Sequence, residues 1–328
     1  MLLLAALVVA SCSGRREALL PTVSGKAGEV IVVMDKTGWE GALGTATRDV
    51  LAADCPFLPT KEPLYSLINV NPAGFTDLFK VHRNIVLFNI SAQVAEPGFI
   101  YQKDMWAAPQ CVLQISAHDG AEALAIFEEN SAKIVAALEQ AERDRVISNC
   151  KRFEEKSIAP VVRETFGGSP HFPSGYKLLK KTEDFFWIQD EKQYTTQGVF
   201  VYKYSAKGDE SDFSLANIVA HRNAALKENV PGMFENTYMT TGDLPYPTTE
   251  FLKFRGRSFA QTRGWWEVVN DYMGGPFVSH SFYSKDGSEI IVCDAFVYAP
   301  KYDKRLYLRQ VESIIYSWEW KVDEEIAK

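Results

Sequence analysis

Two stretches gather residue types that could do chemistry. The first is Arg263-Gly264-Trp265-Trp266-Glu267, followed closely by Met273-Gly274-Gly275-Pro276-Phe277. Adjacent residues of a strand point to opposite faces, so one of the two tryptophans is free to meet a ligand. Two glycines before a proline let the backbone bend sharply or approach a ligand closely. Arg263, Trp265, Trp266, Glu267, Gly274 and Gly275 are therefore candidate ligand-binding residues, with Arg263 and Glu267 fixing polar groups. The structural reading, a tight strand entry with two packing tryptophans, is the favoured one of the two. The second stretch is a hairpin signal, Asp286-Gly287 between two alternating apolar runs. A two-residue type I′ turn needs positive φ at both central residues, and Asp-Gly suits it. Counting outward from that turn places His280 opposite Cys293 and Ser279 opposite Asp294. A Cys–His pair activates a thiolate when the imidazole takes the proton. Here the two lie in one row with Val278, Phe282, Ile291 and Ala295, which favours a core histidine beside a core thiol.

Motifs of other chemistries are missing. The sequence has no G-x-x-x-x-G-K-S/T, no H-E-x-x-H, no G-x-S-x-G and no C-x-x-C. These would mark a phosphate cradle, a zincin, a serine-hydrolase elbow and a thiol or zinc motif. His82, His118, His171, His221 and His280 are isolated from one another. The carboxylate pairs Glu128-Glu129, Glu154-Glu155 and Asp209-Glu210 are sequence neighbours, whereas a glycosidase needs two carboxylates across a cleft. No catalytic residue, metal site or cofactor is expected from these patterns.

The start of the chain carries a different kind of chemistry. Residues 2–10 form an uncharged apolar run ending in Val9-Ala10-Ser11-Cys12. A spanning helix needs roughly 20 such residues, and this run has the length of a signal-peptide core. Val9-Ala10-Ser11-Cys12 resembles the lipobox read by the lipoprotein signal peptidase. The resemblance implies cleavage before Cys12 and acylation of its thiol. The chain departs from the usual pattern in having no Lys or Arg ahead of the apolar run. Two or three acyl chains give stable anchoring where one gives only marginal binding. Residues 13–27, rich in Ser, Gly, Ala and charge, read as a flexible tether.

Composition narrows the partners. A net charge of −7 without a basic stripe excludes nucleic acid as the expected partner and disfavours electrostatic docking on anionic lipid. The expected partners are the lipid bilayer, through the acyl chains, and an envelope protein. Cys55, Cys111, Cys150 and Cys293 lie in no redox motif; Cys111 and Cys293 fall in strand-like runs and read as small core residues.

The elements that must position these groups follow from periodicity. Strands are expected at Glu29–Asp35, Leu64–Val70, Asn84–Ile90 and Gln110–Ser116, with a helix over Thr37–Ala53. Asp119-Gly120-Ala121-Glu122 has capping-box spacing and opens a long helix to about Phe153. Residues 157–175, with three Pro and three Gly, read as a linker. Beyond it come strands at Tyr176–Trp187 and Gly198–Tyr204, a helix from Asp212, strand material over Phe251–Val269, the Phe277–Tyr283 and Glu289–Tyr298 hairpin, and a last helix capped by Asp303. The fold class is α+β. Its organisation is a signal peptide over 1–12, a tether over 13–27, and two similar halves at 28–156 and 176–328 joined by 157–175. Each half is expected to be a mainly antiparallel sheet with helices packed on one face, a duplicated strand–helix–three strands–helix unit.

The lipobox, R-G-W-W-E at Arg263–Glu267, M-G-G-P-F at Met273–Phe277, D-A-F-V-Y-A-P at Asp294–Pro300 and K-x-D-K-R at Lys301–Arg305 resemble an uncharacterised lipoprotein family of Gram-negative bacteria, known only as a domain of unknown function. The resemblance spans nearly the whole mature chain and is strongest from Arg263 to Arg305. It supports the envelope address and transfers no activity, while the lack of an acidic cluster directly after Cys12 favours an outer-membrane position facing the periplasm. The expected role is a non-catalytic protein- or ligand-binding module. The alternative is an envelope hydrolase of glycan or peptidoglycan fragments.

Overall fold

A computed structural model describes residues 19–321; Cys12 and the apolar run before it lie outside the described residues. Helices hold 31% and strands 36% of the described residues, an α+β fold.

The first part runs β1 (Glu29–Val33), α1 (Lys36–Glu40), α2 (Ala42–Leu51), β2 (Ser66–Val70), α3 (Asp77–Lys80), β3 (Asn84–Ile90), β4 (Gly98–Lys103), β5 (Cys111–Ala117) and α4 (Gly120–Arg152). The five strands form one sheet in the order β2-β1-β3-β5-β4. The β1–β2, β1–β3 and β3–β5 pairs are parallel, and only the edge strand β4 runs antiparallel. The expected antiparallel sheet is thus corrected for this half. The strands carry the reason: EVIVV and CVLQISA are near-continuous apolar runs, which suit strands covered on both faces. On one face Val30, Val32, Phe88, Leu113 and Ile115 pack under α2 and α4. On the other, Ile31, Val33, Ile85 and Val112 meet Phe75, Phe79 and Trp106.

Helix α4 begins as its sequence dictates. Asp119 Oδ1 accepts from the amides of Ala121 and Glu122, both at 2.9 Å. Glu122 returns the contact one residue earlier, accepting from the His118 amide at 2.6 Å. At 33 residues and about 1.5 Å per residue, α4 outruns the sheet it covers. Its Phe127, Ile134 and Leu138 belong to the first core, while Ile147 and Cys150 enter a second.

The second part runs α5 (Ile158–Phe166), β6 (Gly168–Ser169), β7 (Lys177–Lys181), β8 (Phe185–Lys192), β9 (Thr195–Ser205), α6 (Leu215–Asn229), β10 (Met239–Thr241), β11 (Thr248–Phe254), β12 (Arg257–Val268), β13 (Gly274–Tyr283), β14 (Glu289–Tyr298), α7 (Arg305–Tyr316) and β15 (Glu319–Trp320). Its large antiparallel sheet has the order β10-β12-β13-β14-β9-β8-β7, with β11 also paired to β12. Helices α5 and α7 cover one face and α6 the other, which corrects the one-sided layering expected for this half. The two halves therefore differ in strand direction and in layering, and the expected duplication does not hold. The segment read as a linker contains α5: Pro160 sits in its first turn, where a missing amide costs nothing, and Gly167 ends it with φ 71°.

The β13–β14 hairpin keeps the register read from the sequence, with His280 opposite Cys293 and Ser279 opposite Asp294. Its turn is not type I′. Only Gly287 is left-handed, at φ 75°. The Asp286 carboxylate instead collects Ser284 Oγ at 2.6 Å and the Ser288 amide and hydroxyl at 3.1 and 2.9 Å. Those donors hold its pKa down to about 2.

Charged groups join the two parts. Arg309 of α7 donates to Glu139 of α4 at 2.5 Å, and Tyr65 donates to the same oxygen at 2.6 Å. Burial works against ionising Glu139, but Arg309 and Tyr65 outweigh it and leave the pKa below the ordinary carboxylate value. Asp303 was the expected cap of α7; the cap is Glu62, from the other half of the chain. Its two oxygens accept from the amides of Lys304 and Arg305, each at 2.8 Å. Helix amides at an N-terminus lack internal partners, and a carboxylate there also meets the positive end of the helix dipole. Glu62→Ala is expected to lower stability by about 1–2 kcal/mol, with Glu62→Gln losing less because one amide oxygen can still accept. Thermal unfolding checks this; a melting temperature equal to that of the native chain for both variants would show that the cap contributes nothing.

Candidate ligand pocket on the second sheet

A cavity of about 310 Å³ opens on the α6 face of the antiparallel sheet. Period-two alternation builds its floor. Strand β8 contributes Trp187, Gln189 and Glu191, strand β14 contributes Phe296 and Tyr298, and β12 contributes Trp266. These residues are far apart in sequence. They meet because β12, β13, β14, β9 and β8 are consecutive neighbours. Three methionines complete the wall: Met239 on β10, Met233 in the loop after α6, and Met273 before β13. Thioethers are flexible and polarizable and adapt to the shape of what they touch.

The rings are arranged with their faces at steep angles. Trp266 lies 5.7 Å from Phe296 at 80° and 6.1 Å from Tyr298 at 55°. The Trp266 indole N–H donates to the Val297 carbonyl at 3.1 Å, which fixes its ring. Trp187 donates to Gln189 Oε1 at 2.8 Å, and Gln189 donates to Glu191 Oε2 at 3.2 Å. This relay holds Trp187 upright and spends both ends of the Gln189 amide. Met233, which lines the cavity, is 80% exposed; the next residue, Phe234, is 66% exposed, and Tyr272, next to Met273, is fully exposed.

Deeper on the same face of β14, two residues from Phe296, lies Asp294. Arg222 of α6 donates to its Oδ2 at 2.6 Å and to Thr241 Oγ1 at 2.9 Å. The guanidinium also stands 3.7 Å over the Phe277 ring. Both charged side chains are wholly buried. Burial pushes the Asp294 pKa up, with Arg222 acting in the opposite sense. This pair pins α6, whose end supplies Val230 and Pro231 to the cavity wall.

Of the residues singled out from the sequence, Trp266 lines the cavity and Gly275 lies opposite it across the β12–β13 ladder. A Cβ on Gly275 would stand 2.0 Å from the Val297 carbonyl oxygen and 2.8 Å from Trp266 Nε1. The glycine serves strand packing beneath the indole. Gly274 is similarly crowded, its Cβ position 2.8 Å from Trp265 Nε1. Trp265, half-buried, projects to the opposite face, as alternation requires, and does not line the cavity. Arg263 is also elsewhere, paired with Glu312 of α7 at 2.5 Å. Glu267 is exposed and outside the lining. Sequence reasoning missed Trp187, Glu191, Tyr298 and the three methionines. The F-F-W-I-Q-D-E alternation on β8 carried a usable signal, and so did apolar Met233-Phe234 in a loop.

The His280–Cys293 pair is inert. Burial pushes the Cys293 thiol up to about 12 and drives His280 well below its ordinary value, the latter helped by Arg257, Arg263 and Arg143. A reactive ion pair needs both shifts reversed. His280 Nε2 instead meets Gln261 Oε1 at 3.1 Å. The other histidines have separate partners, such as Glu122 for His118 and Glu154 with Glu319 for His171. Among the described residues no three His, Cys, Asp or Glu gather in a metal-binding group.

Residues 23–151 match the family model DUF8532 and residues 155–317 match DUF4837, each a domain of unknown function. No curated protein matches the chain. Among solved structures, 48% of the chain is similar, at 13% identity and a TM-score of 0.27, to a crystal structure from Bacteroides thetaiotaomicron determined at 1.50 Å resolution; the match covers 46% of that chain. The chain is thus two successive domains, each matched by a family known only as a domain of unknown function.

Proposed function

We propose that the protein is a lipid-anchored, non-catalytic binding module of the bacterial envelope, held to the outer membrane through Cys12 and facing the periplasm. The anchor rests on the apolar run 2–10 and the Val9-Ala10-Ser11-Cys12 lipobox. Among the described residues no helix is long and apolar enough to cross a membrane, which fits attachment by acyl chains. The observation that carries the binding role is the Trp187–Trp266–Phe296–Tyr298 pocket, walled by methionines of which Met233 is largely exposed. Glycoside hydrolysis uses a pair of carboxylates, whereas Glu191 is the single acid in the lining. That favours binding over the hydrolytic alternative.

Two measurements test the two parts. Growth with a radiolabelled fatty acid is expected to label the native chain and not Cys12→Ser; equal labelling sinks the anchor. Crosslinked envelopes from cells expressing the native chain or Trp187→Ala are then compared by capture and mass spectrometry. A companion recovered with the native chain and lost with the variant supports the pocket. Identical recovery from both moves the binding role elsewhere on the surface.

A further inference from the structure

We infer that the pocket takes an organic cation with apolar substituents, a substituted ammonium seated against the half-buried rings of Trp187 and Tyr298 with Glu191 at its edge. This rests on the binding role proposed above and adds the class of ligand. Three observations lead to it.

The first is the ring geometry. Trp187 and Tyr298 are half-buried and line the cavity, beside Trp266 and Phe296, which are buried and packed edge to face, and Trp187 is held by its link to Gln189. The negative face of an aromatic ring attracts a cation, tryptophan most strongly. Among the described residues no Lys or Arg stands over any of these four rings, although twelve such contacts occur elsewhere, including Arg222 over Phe277.

The second is the sign of the charge. Glu191 is the single charged residue in the lining. The segments 231–247 and 264–283, which supply one side of the cavity and its mouth, contain no Lys or Arg and carry Glu235, Asp243, Glu267 and Asp271. The neighbouring cations are already engaged. Lys192, next to Glu191, pairs with Asp190 at 3.0 Å, Lys301 stands 3.7 Å from the Tyr194 ring centroid, Lys180 reaches the Asn229 carbonyl at 3.4 Å, and Lys227 lies 5.3 Å from the Tyr238 ring centroid. None of them lines the cavity. An anionic ligand would find no counter-charge here.

The third is the apolar remainder. Met233, Met239, Met273, Val230 and Val268 offer no hydrogen bond to a strongly hydrated ion. They favour a cation whose charge is spread over carbon, such as a substituted ammonium.

Quenching of the tryptophan fluorescence reads the binding, with the full-length chain as the sample. The probes are phenyltrimethylammonium, its neutral isostere tert-butylbenzene, and the peptide acetyl-Phe-(Nε-trimethyl-Lys)-Phe-amide. The expected result is saturable quenching by the cation, weaker binding of the isostere, and a loss of about three- to tenfold in cation affinity in Glu191→Gln with the isostere unaffected. Glu191 is exposed, so that variant leaves the fold intact. Tighter binding of the peptide than of the small ion would assign the cation to a side chain of a protein partner, and the reverse order to a free amine. Equal affinity for the cation and its isostere in both proteins overturns the cation assignment while leaving an apolar binding pocket in place. No saturable binding by any probe removes the pocket as a ligand site, and the binding role with it.

Discussion

Arg222→Met is expected to destabilise the second domain by about 3–5 kcal/mol, because it leaves the Asp294 carboxylate buried without its partner. Neither side chain is exposed at all, so water cannot screen the isolated charge. The variant also removes the donor to Thr241 and the cation over Phe277, which together tie α6 to the sheet. The double variant Arg222→Met/Asp294→Leu is expected to recover most of the loss, since replacing both ions by apolar groups of similar volume is often neutral. Denaturant unfolding of the three proteins decides it. Equal destabilisation in the single and double variants would mean that the loss comes from packing rather than from a stranded charge. Because Val230, which follows the last residue of α6, stands at the cavity wall, ligand affinity should fall with stability in the single variant and return in the double.

Gly275→Ala is the second large effect, about 3 kcal/mol, at the upper end of what overpacking costs. The added carbon would sit 2.0 Å from the Val297 carbonyl oxygen. That oxygen belongs to the backbone of the adjacent strand, which cannot swing away as a side-chain tip would. The same carbon presses on the Trp266 indole nitrogen at 2.8 Å, whose hydrogen bond to Val297 sets the ring in the pocket. A shifted tryptophan emission together with a lower unfolding midpoint is the expected pair of signals. A variant with the native midpoint and emission would show that the strands separate easily there.

Much of this fold was legible locally. The strands at 84–90 and 289–298 stand where their apolar runs put them, because a run bounded by turn residues has little choice. The register of the β13–β14 hairpin followed from counting outward from Asp286-Gly287, and it survived a wrong turn type because the loop kept the same centre. Strand β4 was not readable: GFIYQK is an edge strand with no fully buried residue, so it shows neither an apolar run nor clear alternation. Parallel pairing was missed although EVIVV and CVLQISA are near-continuous apolar runs: such a run reports burial on both faces, while the connection that returns the chain sets the direction. At the pocket, Arg263 was grouped with Trp266 by proximity, yet their positions differ by an odd number and alternation sends them to opposite faces. Trp187, Met233 and Tyr298 were missed because only the strand order brings them together.

The Glu62 cap has a consequence for how the chain is made. The carboxylate and the amide of Lys304 that it receives are 242 residues apart. The acceptor emerges 242 residues ahead of the helix that it caps, whether the chain leaves a ribosome or, as proposed, crosses a membrane, and domains fold as units from the N-terminal side. The first domain can therefore be complete, with Glu62 in position, when α7 emerges. The last helix docks onto a finished surface instead of searching alongside an unfinished one. A gene fragment starting at residue 155 would deliver α7 without that acceptor and without Glu139 for Arg309, so co-expression with the first domain should raise its yield in folded form.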